Sequence, residues 1–130
     1  MAEGSADLPG LERVEAELLA REPIFHRPEL GASREDYIAQ TAEDYWEVGA
    51  SGRVYEREYV ISSLVKRAKV PGDENWVITE VKLRHLAEDT YALTYKLDQD
   101  GRLTRRLTLW RSAPDGWKIL YHQGTIIQDA

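Results

Sequence analysis

Three side chains in this sequence could carry chemistry: Glu47 in DYWEVGASGR (residues 44–53), Arg106 in RLTRRLTLWR (102–111) and His122 in WKILYHQGTII (117–127). Glu47 lies in an apolar, strand-like stretch beside a run of small turn-forming residues. Strand alternation places Tyr45 and Glu47 on one side, and Trp46 and Val48 on the other. Facing solvent, Glu47 is an ordinary strand glutamate. Facing inward, it is a buried acid that needs a partner, with a pKa displaced upward as a general acid or base requires. Alternation leaves both orientations open.

Arg106, Thr108 and Trp110 share one strand face. If the hairpin around APDG (113–116) closes as a three-residue loop with a glycine bulge, Thr108 pairs near His122 and Trp110 near Leu120. That register gathers Arg106, Trp110 and His122 on one surface; a slip of one residue substitutes Tyr121 and Gln123. A guanidinium beside an indole and an imidazole suits an anionic or carbonyl-bearing ligand. The same three residues would also serve as core or as a dimer face.

Other chemistries are poorly supported. The chain has no cysteine, which removes disulfides, thiol catalysis and thiolate metal sites. The three histidines, His26, His85 and His122, lie on a linker and two separate strands without HxH or HxxxH spacing, so no metal is expected. His85 reads as a core or rim residue, and His26 with Arg27 and Pro28 as a fastening of the linker. There is no GxSxG elbow, and Gly49 and Gly52 of the GASG turn lack P-loop or dinucleotide spacing. A net charge of −6 argues against a nucleic-acid partner held through phosphates. No apolar run approaches the roughly 20 residues that span a bilayer, so a membrane role is not expected and a cytoplasmic location is.

The elements that must position these residues follow from periodicity. At 130 residues, 42% hydrophobic and 31% charged, the chain reads as one soluble domain (8–130) behind a flexible start (1–7). Asp7 and Pro9 suit a first helical turn, and Leu11, Val14, Leu18 and Leu19 repeat at helical spacing until Pro23. The linker through Ala32 carries Ile24 and Phe25 and should pack down. Ser33 and Asp36 predict a capping box opening a short helix to about Ala42, with Tyr37 and Ile38 inward. Brief strands at Tyr45–Val48 and Val54–Tyr55 flank the Gly49–Gly52 turn, and a helix follows over Glu56–Ala68. After a turn at Pro71–Asn75 the period becomes two. Strands are predicted at Trp76–Leu86, with Val77, Thr79, Val81, Leu83 and His85 on one side, and at Thr90–Leu97, with Tyr91, Leu93, Tyr95 and Leu97 in phase. Two more follow at 102–111 and 117–127. Helices ahead of a four-stranded antiparallel meander make an α+β fold, and a twisted sheet curling around them leaves a cone. Seven tyrosines and four tryptophans exceed a minimal core and favour a cavity or an interface.

From about Leu11 to Ile127 the chain resembles the nuclear transport factor 2-like superfamily, in its SnoaL-like branch. The resemblance rests on HRPEL (26–30), DYWEVGASGRVYEREYVI (44–61), LTLWRSAPDGWKILYHQGT (107–125) and the strand spacing between them. It implies three N-terminal helices packed in a curved, mainly antiparallel sheet, a cystatin-like cone. It also implies sheets that commonly pair back to back and a concave face that keeps the pocket. Members include ketosteroid isomerases, polyketide cyclases, epoxide hydrolases, scytalone dehydratase and plain binding domains, so fold does not select chemistry. The sequence lacks both the paired aspartates and tyrosine of the isomerases and the Asp–Arg–Asp of the epoxide hydrolases. The expected role is therefore a homodimeric, cofactor-free, small-molecule-binding domain. Its pocket would be formed by Trp46, Glu47, Tyr59, Tyr95, Arg106, Trp110 and His122. The alternatives are an acid–base enzyme of isomerase, cyclase or dehydratase type, using Glu47 and His122, and an interaction module without ligand.

Overall fold

A computed structural model describes residues 3–67 and 76–128. The expected turn at Pro71–Asn75, and residue 68 at the end of the third helix, lie outside these residues, as do residues 1 and 2. In chain order the elements are α1 (Glu3–Leu19), α2 (Arg34–Gln40), β1 (Thr41–Val48), β2 (Val54–Glu56), α3 (Arg57–Arg67), β3 (Trp76–Ala87), β4 (Thr90–Gln99), β5 (Arg102–Ala113) and β6 (Gly116–Ile126). One 3-10 turn, Pro28–Leu30, interrupts the linker. The α+β architecture is as expected, except that β1 and β2 precede α3, so the helices are not all N-terminal. No helix among the described residues is long and apolar enough to cross a membrane.

The six strands form one sheet in the order β2-β1-β6-β5-β4-β3. All neighbours are antiparallel except β1 and β6, which run parallel. Its concave face is filled by Val14 and Leu18 of α1, Tyr37 of α2, and Val60, Ile61 and Leu64 of α3, packed on Tyr45, Leu93, Leu97, Trp110 and Ile119. Local chemistry explains the boundaries. Ser33 Oγ accepts from Asp36 N–H while the Asp36 carboxylate accepts from Ser33 N–H, closing the predicted capping box. Arg57 donates to the Ile38 and Thr41 carbonyls where α2 passes into β1, the Ile38 carbonyl also accepting from the Thr41 N–H. The β4–β5 hairpin turns through Asp100 and Gly101, both at positive φ, as a two-residue Asp-Gly loop demands.

Three expectations are corrected. Ile38 is 41% exposed because a helix turns about 100° per residue, so Tyr37 buried beside it carries Ile38 outward. On β3 the ladder slips between Thr79 and Lys82, with Glu80 at φ +54. This bulge inverts the phase: Trp76 and Ile78 pack on the core before it, Val81 and Leu83 after it, and Val77 is exposed. On β6, Ala113 pairs with Gly116 across a two-residue loop, Thr108 pairs with His122 as predicted, but Trp110 opposes Ile119. Leu120 is the extra residue of a bulge, and that single insertion is what turns both Ile119 and His122 to the concave side.

Candidate functional site

Between α3, the linker after α1 and the concave face lies a cavity of about 840 Å³. Its walls are apolar at Ile24, Phe25, Val60, Leu64, Trp76 and Leu97, and polar at Glu47, Tyr95, Gln99, Arg106 and His122. Tyr55 and Tyr59, stacked with centroids 5.2 Å apart, stand with Lys66 and Arg67 along α3's side. Phe25 holds its ring edge-on to Tyr37 and Tyr45 at 5.9 and 6.0 Å, from a backbone φ of +66 that a bulky residue rarely adopts.

The orientation of Glu47 is settled by β1. Tyr45 is buried and Trp46 is 44% exposed on the opposite, outer face against Tyr121, so Glu47 points into the cavity. The Tyr45 hydroxyl donates to Glu47 Oε1. Burial raises the Glu47 pKa above the usual carboxylate value, while the Tyr45 hydrogen bond and the charges of Arg106 and Arg67 restrain the rise. Parallel pairing sets Glu47 beside His122 on the neighbouring strand.

Arg106 is held by neutral acceptors at every nitrogen. Nε donates to Thr104 Oγ1 at 3.0 Å, Nη2 to Gln99 Oε1 at 3.4 Å, and Nη1 faces His122 Nε2 at 3.5 Å. Since a guanidinium only donates, His122 Nε2 is the acceptor. The neutral ring then carries its proton on Nδ1, which donates to Thr108 Oγ1 at 2.8 Å. Burial, with Arg106 and then His26 nearby, drives the His122 pKa down to about 3, so the ring is neutral at physiological pH. Burial and the charges of Arg67 and Arg106 likewise lower His26 to about 4.

The Thr108 hydroxyl passes the chain on to Glu22, a carboxyl that periodicity did not single out. Glu22 is fully buried behind the cavity wall. It accepts from Tyr95 Oη at 2.6 Å, Trp110 Nε1 at 3.0 Å, and the Ile24 backbone N–H. Burial pushes its pKa up and these donors pull it back. Arg27 anchors the same corner, donating to the Glu22 carbonyl at 2.7 Å and the Leu19 carbonyl at 3.1 Å, where α1 ends. The inward polar tips of Tyr95 and Trp110 were the signal available in the sequence, since a buried phenol and indole each require a partner.

Of the seven residues expected at a pocket, Glu47, Tyr59, Tyr95, Arg106 and His122 line this cavity. Trp46 does not, because alternation sends it to the outer face. Trp110 does not either: at 2% exposure it lies under the wall, tied to Glu22. His26 and His122 both line the cavity, His85 does not, and among the described residues no group of His, Asp and Glu could hold a metal ion.

No protein-family model matches the chain. No curated protein matches it. Solved structures do. A nuclear transport factor 2-like protein from Cytophaga hutchinsonii is 17% identical with a TM-score of 0.65, over 92% of this chain and 97% of its own. A Streptomyces avermitilis protein provisionally named a dehydratase of the same family is 19% identical with a TM-score of 0.70, over 91% and 98%. An uncharacterised Caulobacter vibrioides protein with a cystatin-like fold is 15% identical with a TM-score of 0.67, over 92% and 91%. The chain therefore has the nuclear transport factor 2-like fold.

Proposed function

We propose that this chain binds a small organic molecule inside the cone, with Glu47 and Arg106 meeting its polar end. The observation that supports this most is the volume of about 840 Å³ left between helices and sheet, within the roughly 300–1,000 Å³ of small-molecule sites. Apolar walls with a few convergent polar groups are the composition such sites use. An interaction module with its cone filled by its own side chains would leave no such space. A thermal-shift screen of metabolites against wild type and Glu47→Gln tests the reading. At least one compound is expected to raise the wild-type Tm by several degrees and the variant's by clearly less; a diverse library that moves neither would overturn it.

A second reading, acid–base chemistry of isomerase, cyclase or dehydratase type, is favoured by one observation: a carboxyl of raised pKa stands beside a tyrosine hydroxyl in the cavity. Glu47 would carry the proton and Arg106 would stabilise developing negative charge. His122, neutral and committed to Thr108, suits a hydrogen-bond acceptor rather than a proton carrier. Incubating a screened ligand in heavy water distinguishes the two readings. Deuterium exchange lost in Glu47→Gln supports catalysis, and absence of exchange in wild type leaves binding alone.

The outer sheet face, where Trp46 rests on Tyr121 with centroids 4.6 Å apart, is the surface we assign to pairing of two copies. Sedimentation should show a dimer in wild type and a monomer in Trp46→Glu.

A further inference from the structure

Arg106 is a half-buried cation with an unusual set of neighbours. Its three nitrogens meet a threonine hydroxyl, a glutamine carbonyl and a neutral imidazole. Among the described residues no carboxylate oxygen lies within 4.0 Å of it, in contrast to Arg105 one residue earlier, which pairs with Glu80 at 3.1 Å on the outer face. Burying a charge without a contact counter-ion is costly, and the neutral acceptors fix its direction without cancelling it. A guanidinium has five N–H donors. Three are directed at Thr104, Gln99 and His122, leaving one on each terminal nitrogen, the pair that two carboxylate oxygens match.

The seat is built for this cation. Gly124 opposes Arg106 across the β5–β6 ladder. A Cβ at position 124 would stand 2.6 Å from Nη1, 2.9 Å from Cζ and 3.1 Å from Nε, so the guanidinium lies flat over bare backbone. A side chain at position 124 would force the guanidinium, the movable end of Arg106, to shift from this seat. The surrounding charge has the same sign: among the described residues Lys66, Arg67 and Arg106 line the cavity against one acid, Glu47, in a chain whose net charge is −6. A positive cleft in an acidic protein concentrates anions at one place.

We propose that the cavity takes an organic carboxylate with an apolar body, its carboxylate seated bidentately on Arg106 over Gly124, and Lys66 and Arg67 drawing it in. This rests on the cavity-binding reading above and specifies the chemical class. Phe25, Val60, Leu64 and Leu97 receive the apolar part.

Matched probes test it: 2-naphthoate against 2-naphthamide, and octanoate against octanamide, titrated calorimetrically at pH 7. Wild type is expected to bind at least one acid about tenfold or more tightly than its amide, the size of a charge-assisted bidentate contact. Arg106→Gln and Gly124→Ala should each collapse that preference to within about twofold, and Arg106→Lys should keep part of it. Each variant's Tm is measured alongside; if Gly124→Ala does not fold, the two Arg106 variants decide. Acid and amide binding equally in wild type would overturn the carboxylate assignment and leave the cavity reading standing. If neither acids nor amides bind, the carboxylate assignment falls, and the metabolite screen decides the cavity reading.

Discussion

Two acids lie within the cone, and their surroundings differ in a way that separates holding a shape from meeting a ligand. Glu22 is wholly enclosed and its two oxygens are met by donors from Tyr95, Trp110, Thr108 and the Ile24 backbone. Glu47 is partly enclosed, meets one hydroxyl, that of Tyr45, and faces open volume. Burial raises both pKa values. Glu22 thus ties the linker after α1 to β4 and β5, and its partners leave it nothing further to do. Glu47 retains hydrogen-bonding capacity directed into the cavity, where an incoming molecule would be its next partner.

The largest effect should come from emptying the enclosed site. Glu22→Ala leaves the Tyr95 hydroxyl and Trp110 indole N–H buried without partners, an expected loss of about 3 kcal/mol in urea unfolding. Glu22→Gln, which imitates the neutral acid, should lose about 1 kcal/mol. Equal losses would mean that the donors do not depend on Glu22.

The pH dependence follows with opposite signs for two groups. Glu22 binds its proton more tightly folded than unfolded. Stability should therefore fall as pH rises from the ordinary carboxyl value of about 4.3 through its raised folded value, and Glu22→Gln should flatten that limb. His122 is the reverse. With its folded pKa at about 3 against about 6.5 unfolded, its contribution is full above the unfolded value and lost as pH falls between the two. His122→Asn should reduce this second slope, read as the pH dependence of the urea midpoint.

Smaller again is Thr108→Val, which cuts the link between the two regions. A loss of about 1 to 2 kcal/mol is expected. Nitrogen chemical shifts should show that His122 keeps its proton on Nδ1, because Arg106 still donates to Nε2; a proton moved to Nε2 would show that Thr108 and not Arg106 sets the tautomer. Glu47→Gln should be nearly silent, within about 0.5 kcal/mol in stability, while suppressing ligand-induced melting shifts.

What could be read from the sequence was whatever is written within a few consecutive residues. The Ser33–Asp36 capping box, the helical repeat of Val14 and Leu18, and the in-phase Leu93, Tyr95 and Leu97 all follow from local spacing. The phase inversions at Glu80 and Leu120 do not, because a bulge is defined by how many residues the partner strand supplies. The two-residue loop by itself sets Trp110 opposite Ile119, and Thr108 meets His122 only because the bulge at Leu120 lies beyond that pair. The three-residue loop expected from the sequence reached the Thr108–His122 pair because the bulge makes up the residue that the shorter loop lacks. Glu22 escaped notice because its linker has no period, and its partners stand 73 and 88 residues further along the chain. Glu47 was visible as an oddity, but alternation fixes only that it opposes Trp46. It took β6, packed along β1, to show which of the two faces inward.

The measurement that bears most directly on the contrast between the acids is a carbon-detected titration of the glutamate carboxyl groups, with and without 2-naphthoate. Glu22→Gln and Glu47→Gln supply the assignments. Glu47 should titrate above the ordinary value of about 4.3 and move further upward with the probe, because a carboxylate on Arg106 cancels the charge that restrains it. Glu22 should also titrate high and not respond. A Glu47 that titrates at the ordinary value and ignores the probe, or a Glu22 that responds in its place, would contradict the division of roles.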